Sequence, residues 1–134
     1  MSKKATLFTD GGARGNPGPA GIGLVLRVEG EQALEYGEYI GETTNNQAEY
    51  KALIKGLAMA LEAGVSEIKC FLDSQLVVEQ LKGNYRVKNN GLKQLFVEAK
   101  ELADKFETTS FTHVTRDKNK IADRLVNEAL DREK

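Results

Sequence analysis

Four acidic residues do not lie on the solvated helix surfaces and turns where most acids of this chain are expected: Asp10, Glu49, Asp73 and Asp123. Asp10 ends a predicted strand, and two-residue alternation places it on the same face as Phe8. Glu49 lies in the first turn of a predicted helix and shares one side of it with Leu53 and Leu57, the side that should face the sheet. A carboxylate that only stabilises a helix N-terminus is the alternative for Glu49, but its position on the packed side argues against it.

The other two acids also lie at the ends of predicted elements. Asp73 follows an apolar run, 68–72, which reads as a central strand buried on both faces. The carboxyl end of such a strand is where open α/β sheets bind ligands, although Asp73 could instead cap the next helix. Asp123 lies early in the last helix, where the helix dipole alone could explain an acid.

Strand ends and helix starts from distant parts of a chain can converge at one end of a sheet, and we expect these four acids to do so. Clustered carboxylates repel one another unless cations lie between them. Oxygen ligands favour Mg²⁺ or Mn²⁺ over zinc. The chemistry predicted for the cluster is therefore two-metal phosphoryl transfer.

Composition limits the classes of protein to which this chain can belong. Its 134 residues predict one domain over 1–134, and 40% hydrophobic with 29% charged residues is a globular composition. Nineteen Lys and Arg against 20 Asp and Glu give a net charge of −1, so any nucleic acid must meet a local basic patch. The single cysteine excludes an internal disulfide, and no apolar run is long enough for a membrane span or a signal core. We expect a cytoplasmic monomer without membrane contact.

The elements that position the acids follow from hydrophobic periodicity. Strands are predicted at 5–9, 21–28 and 33–40 as an antiparallel meander, with the glycine-rich segment 11–19 ending the first strand. A helix capped at Thr44 or Asn45 runs to Gly64, and a second begins after Ser74. A third helix, a strand at 108–114 and a closing helix from 120 follow. The order βββαβααβα predicts an α/β fold with a five-stranded mixed sheet and helices on both faces.

Four segments in this order resemble the type 1 ribonuclease H family. They are DGG at 10–12 with GNPGPAG at 15–21, TNNQAEY at 44–50, DSQLVV at 73–78 and NKIADRLVN at 119–127. The resemblance spans nearly the whole chain and implies a ribonuclease H-like fold. It also implies an endoribonuclease that hydrolyses the RNA strand of RNA–DNA hybrids and leaves 5′-phosphate and 3′-hydroxyl ends.

The resemblance implies that Asp10, Glu49, Asp73 and Asp123 bind two Mg²⁺ ions, with Mn²⁺ as a possible substitute. One ion would activate a water, and the other, on the order of 4 Å away, would stabilise the leaving oxygen. Selectivity for a hybrid requires that the 2′-hydroxyls of one strand be read.

The residues implied to contact the substrate lie in loops and at helix starts. Asn16, Asn45 and Asn46 would face the minor groove of the hybrid, while Thr44 would seat a DNA-strand phosphate that Asn89 helps to hold. Gly11 and Gly12 would permit close approach of the RNA strand, although a simple turn role explains them equally well.

Two features depart from the family pattern. The extra basic handle of several members is missing, because only residues 83–90 separate the two helices concerned; Arg86, Lys88 and Lys93 form either a small basic edge or a solvated helix start. Hybrid affinity should therefore be modest and salt-dependent. His113, the only histidine, is predicted to be a partly buried strand residue. Arg116 is then the candidate catalytic cation that assists turnover, although arginine cannot act as a base near neutral pH.

Three other functions remain open from the sequence. The chain could be a non-catalytic hybrid-binding module, which would not need all four acids. It could be a related metal nuclease that acts on double-stranded RNA or on DNA junctions. It could also be a structural domain whose acids bind Mg²⁺ only for stability, since function depends on the site and not on the fold.

Overall fold

The computed structural model describes residues 3–133 and confirms the predicted order of elements. The strands of this part of the chain are β1 (Lys4–Ala13), β2 (Gly18–Val28), β3 (Leu34–Thr43), β4 (Glu67–Leu72) and β5 (Thr108–His113). Its α-helices are α1 (Asn45–Glu62), α2 (Gln75–Leu81), α3 (Asn90–Ala103) and α4 (Lys120–Arg132). A short 3₁₀ turn, Arg116–Lys118, precedes α4. Only residues 82–89 separate α2 from α3, consistent with the compact form that lacks a handle.

The strands form one mixed sheet in the order β3-β2-β1-β4-β5. The first three strands are antiparallel neighbours as predicted, and β4 lies parallel to both β1 and β5. The prediction that β4 is central and buried on both faces was wrong. The central strand is β1, and β4 buries Ile68, Cys70 and Leu72 on one face while Lys69 on the other is exposed.

The first strand does not end at the glycines as predicted. It continues through Gly12 to Ala13 because antiparallel pairing with β2 persists, with Gly12 opposite Gly21 and Ala13 opposite Ala20. Glycine lacks a side chain but still supplies ladder hydrogen bonds, so the turn is moved to residues 14–17. Asp10 therefore lies inside the central strand, with residues of β1 both before and after it.

The main core lies between the sheet and α1. Leu7, Leu24, Leu53 and Leu57 are all fully buried there. Helix α1 begins as predicted, since the Thr44 side chain accepts a hydrogen bond from the Gln47 backbone N–H at 3.2 Å. The cap fixes where the helix starts and therefore which residues face the sheet.

Helix α4 packs on the opposite face, against glycines of β2 and β3. A Cβ atom at Gly23 would lie 2.3 Å from the Ala122 carbonyl oxygen, and one at Gly37 would lie 2.9 Å from the Leu125 oxygen. The missing side chains let the α4 backbone approach the sheet closely. Because Gly23 pairs with Asp10 across β1 and β2, this contact brings the start of α4 beside Asp10. No helix within residues 3–133 is long and apolar enough to cross a membrane.

Candidate active site

Three of the four predicted carboxylates meet at one end of the sheet. One ligand oxygen from each of Asp10, Glu49 and Asp73 lies within 4.8 Å of the others. Asp10 comes from β1, Asp73 directly follows β4, and Glu49 projects from α1. Asp123, in the first turn of α4, lines the same cavity of about 410 Å³. The predicted convergence of strand ends and helix starts is therefore confirmed.

The simpler explanations for Glu49 and Asp73 do not hold in the structure. Glu49 is the fifth residue of α1 and so lies in its second turn rather than the first, where the helix N-terminus has less influence. The N-cap of α2 is Ser74, whose hydroxyl accepts a hydrogen bond from the Val77 N–H at 3.3 Å. Asp73 therefore does not cap this helix. Both acids are therefore available for binding.

The carboxylate oxygens are left without the partners that buried acids normally have. The Gly11 N–H donates to Glu49 Oε1 at 3.2 Å, but Glu49 Oε2 and Asp73 Oδ2 are buried and have no hydrogen-bond partner within residues 3–133. Buried polar atoms are almost always satisfied in native proteins. Unshared carboxylate oxygens this close together are the donor set that Mg²⁺ or Mn²⁺ takes, so the residues present fit such an ion.

The electrostatics of the cluster also favour a bound cation. Burial raises the pKa of Asp10 from 3.8 to about 7; a hydrogen bond with Glu49 opposes this shift, while the charges of Asp73 and Asp123 add to it. The pKa of Glu49 is likewise raised well above its ordinary value, mainly by burial and then by the charge of Asp10. The folded protein therefore disfavours full ionisation of the cluster in the absence of a bound cation.

Asn119 holds α4 against the central strand, a role that the sequence did not reveal. It is 2% exposed, and its Nδ2 donates to the Thr9 carbonyl oxygen at 2.8 Å, one residue before Asp10. The main-chain carbonyl of Asn119 accepts from the Asp123 N–H at 3.1 Å, which is the first hydrogen bond of α4. The side chain of Asn119 therefore joins the start of α4, which carries Asp123, to the strand that carries Asp10. Nothing in its spacing distinguishes it from an ordinary residue before a helix, so only the tertiary contact identifies it.

The structure separates the two candidate cations. Arg116, in the 3₁₀ turn, is exposed and lines the carboxylate cavity. His113 ends β5 and is exposed, so the prediction of a partly buried strand residue was wrong. The reason is the sheet order, because β5 is an edge strand and His113 is its last residue.

The predicted groove-facing asparagines join the β1–β2 turn to α1. Asn45 Oδ1 accepts from the Ala13 N–H at 2.7 Å, and Asn16 Oδ1 accepts from the Asn45 N–H at 3.0 Å. Asn45 and Asn46 line the carboxylate cavity, while Asn16 is exposed beside it. Because the side-chain oxygens of Asn16 and Asn45 accept hydrogen bonds within the protein, these two amides are held in place at the rim of the cavity.

The two glycines after Asp10 differ in their surroundings. A Cβ atom at Gly11 would lie 2.3 Å from the Ala48 carbonyl oxygen, so Gly11 is needed for the close approach of β1 and α1 rather than for a turn. At Gly12 the nearest atoms would be 4.0 Å away, and Gly12 lines the cavity. Gly12 is therefore the one of the pair with room for a substrate.

The two residues predicted to bind a phosphate lie at adjacent helix N-termini. Thr44 caps α1, and Asn89 caps α3 by accepting from the Leu92 N–H at 3.1 Å. A Cβ atom at Gly91 would lie 2.7 Å from Gln47 Nε2 and 3.1 Å from Asn89 Oδ1, so the starts of the two helices adjoin through Gln47. Arg86, Lys88 and Lys93 are all exposed near this place.

Comparison with known proteins points to one family. A family described as reverse transcriptase-like matches residues 8–129. A ribonuclease H of Hydrogenovibrio crunogenus is 37% identical over 144 aligned residues, which cover 96% of this chain and 97% of that protein. A bifunctional protein of Mycobacterium tuberculosis is 44% identical over 130 residues, covering 96% of this chain but only 36% of the relative. The chain thus spans about a third of the length of that relative.

Solved structures agree with the sequence matches. The N-terminal RNase H domain of the mycobacterial protein, solved as a fusion with maltose binding protein, superposes with a TM-score of 0.93 at 44% identity, covering 98% of this chain and 96% of that one. LC11-RNase H1, solved in complex with an RNA/DNA hybrid, gives a TM-score of 0.89 at 44% identity, covering 96% of this chain and 98% of that one. With the fold, the carboxylate cluster and these matches in agreement, the chain belongs to the ribonuclease H family.

Proposed function

We propose that this protein is an endoribonuclease that hydrolyses the RNA strand of RNA–DNA hybrids with two divalent metal ions and leaves 5′-phosphate and 3′-hydroxyl ends. The observation that carries the proposal is the meeting of Asp10, Glu49 and Asp73 within 4.8 Å, with two of their buried oxygens unpartnered. A module that only binds hybrids has no need for such an arrangement, because it concentrates negative charge where a polyanion must approach.

Asp10, Glu49, Asp73 and Asp123 would hold Mg²⁺, or Mn²⁺ in its place. Bound there, two such ions supply an activated water and charge stabilisation for the leaving oxygen of an in-line displacement. The protein's own contribution is to hold the carboxylates in position before metal arrives. Gly11 does so through its N–H to Glu49, and Asn119 does so by joining α4 to β1.

Arg116 would contact the scissile phosphate or the product from the rim of the cavity. Because arginine remains protonated at neutral pH, it can orient a phosphate but cannot remove a proton. Both Arg116→Ala and Arg116→His should lower the turnover rate, and Arg116→Ala should leave the shape of the pH–rate profile unchanged. Unchanged turnover in both variants would remove Arg116 from the mechanism.

The hybrid would be recognised by short amides on one side of the cavity and by two helix N-termini beyond it. Asn16, Asn45 and Asn46 would read 2′-hydroxyls and base edges in the minor groove. Thr44 and Asn89 would seat a phosphate of the DNA strand, because helix N-termini favour anions. Gly12 would allow the RNA backbone to approach. The hybrid-bound LC11 structure of a 44% identical relative supports this assignment of substrate.

The test is cleavage of end-labelled substrates of one sequence: an RNA–DNA hybrid, an RNA duplex and a DNA duplex, each with Mg²⁺, with Mn²⁺ and with chelator. We expect metal-dependent cutting of the RNA strand of the hybrid alone, with products that a ligase requiring 5′-phosphate accepts. Cutting of the RNA duplex at a similar rate would show a broader nuclease. Binding of the hybrid without cutting would support a non-catalytic module instead.

A further inference from the structure

The sheet face that carries Asp10 continues into an area that is open to solvent. Helix α4 packs on β1, β2 and β3 on this face. Register places Phe8 beside Phe71 and Phe71 beside Thr112, so these residues share the face of Asp10. On β4 and β5 three residues of this face, Lys69, Ser110 and Thr112, are exposed.

Six residues define this area, called the sheet platform below: Phe8, Arg27, Lys69, Phe71, Ser110 and Thr112. The Phe8 and Phe71 rings are stacked, with centroids 4.8 Å apart and planes inclined by 19°, and both remain partly exposed. Each ring covers one face of the other, so a planar ligand would extend the stack from the outer face of one ring.

Two unpaired cations border the aromatic pair. Arg27 and Lys69 lie on either side of Thr6 in register, which places their backbones about 10 Å apart across three strands. Both are exposed, and among residues 3–133 neither forms an ion pair. Two exposed cations at this separation can each meet a different phosphate of one strand.

The surroundings keep the area positive in a chain whose net charge is −1. A cavity of about 240 Å³ next to Phe8 is lined by Lys118 and Lys120 with a single acid, Asp117. At the other end of the platform, Glu67 lies opposite Lys4 in register. The two cavities that border the platform are lined by five basic residues, Lys4, Arg27, Lys69, Lys118 and Lys120, and by three acids, Glu29, Glu67 and Asp117.

Aromatic faces for base stacking, cations for phosphates and exposed hydroxyls are the features with which proteins bind single strands. A duplex keeps its bases stacked inside and offers no free base face to these rings. We propose that the sheet platform is a second nucleic-acid site, which binds single-stranded RNA or DNA. It is reached from the carboxylate cavity along β1, since Phe8 precedes Asp10 by two residues, about 7 Å.

The test is fluorescence anisotropy with a labelled ten-nucleotide single-stranded RNA, and with DNA of the same sequence, in chelator to prevent cleavage. Each phosphate contact on a single strand contributes about 0.7 to the slope of log affinity against log salt. Arg27→Gln with Lys69→Gln should therefore lower the slope by about 1.4. Phe71→Leu, which keeps an apolar side chain but removes the ring, should weaken binding by at least about fivefold.

Matched controls lie elsewhere on the same protein. Lys105→Gln removes an exposed charge from the turn after α3, and Phe111→Leu changes a ring on the opposite face of the sheet, beside Cys70. Neither should alter single-strand binding, and the charge variant should cut a blunt hybrid as fast as wild type. Wild-type affinity and salt slope in the Arg27→Gln, Lys69→Gln variant would overturn the proposal, whether or not the protein cleaves hybrids.

Discussion

Replacing Asp10 by asparagine should stabilise the metal-free protein above neutral pH even though it removes a residue proposed for catalysis. Asp10 is 7% exposed, and burial with neighbouring acids raises its pKa from 3.8 to about 7. Asn has nearly the same shape and carries no charge, so Asp10→Asn removes the cost of ionising this buried group.

The sign and size follow from proton linkage. Below about pH 4 the carboxyl is protonated in both the folded and the unfolded chain, and its burial carries no ionisation cost. As the pH rises toward about 7, the unfolded chain releases this proton first, so the free energy of unfolding of wild type decreases. The difference between 3.8 and about 7 corresponds to a loss of up to about 4 kcal/mol above pH 7. Asp10→Asn does not undergo this loss.

Urea unfolding of both proteins in chelator at pH 5 and pH 8 measures the effect. We expect the free energy of unfolding of Asp10→Asn to be higher than that of wild type at both pH values, and the difference to grow by about 2.5 kcal/mol from pH 5 to pH 8. Asp104→Asn, at an exposed position after α3, is the control and should show no such growth. A variant advantage that stays constant or shrinks with pH would refute the electrostatic reasoning about the cluster.

Three further predictions concern the cation and the packing that holds the acids. Mg²⁺ at about 100 times its Kd should stabilise wild type by about 2.7 kcal/mol and should have little effect on the Tm of Glu49→Gln, and a thermal melt with and without the ion would show the contrast. Gly23→Ala should lower the free energy of unfolding by about 1–3 kcal/mol and also lower kcat, because its Cβ would lie 2.3 Å from the Ala122 oxygen; Gly12→Ala, with room for a methyl group, should leave stability unchanged in the same urea assay. Asn119→Ala should lower the free energy of unfolding by about 1–3 kcal/mol and should reduce kcat by a larger factor than it raises KM for the hybrid. A KM that rises by the same factor as kcat falls would show that Asn119 does not position the acids.

Local patterns were sufficient to predict much of this fold and site. The first helix could be placed because Thr44 is a cap and the apolar residues after it recur at helical spacing, and both features lie within a few residues of one another. Asp73 could be singled out because it directly follows an apolar run, and Asp10 because it stands at the end of a predicted strand. Such signals do not depend on where the strands pair.

The errors and omissions concern contacts between distant residues. The position of β4 beside an edge strand depends on which strands pair, and that order also decides that His113 is exposed. Gly23 and Asn119 have no local pattern that separates a packing glycine from a flexible one, or a tethering amide from an ordinary one. Their roles appear only when α4 is placed on the sheet.

The most direct test of the central claim is a single-turnover experiment with a labelled RNA–DNA hybrid, in which binding and cleavage are measured in the same Mg²⁺-containing sample for wild type and Asp10→Asn. The structure predicts that wild type cuts the RNA strand, whereas Asp10→Asn binds the hybrid but does not cut it. Cleavage by Asp10→Asn at a rate near that of wild type would contradict the assignment of the carboxylate cluster as the catalytic centre.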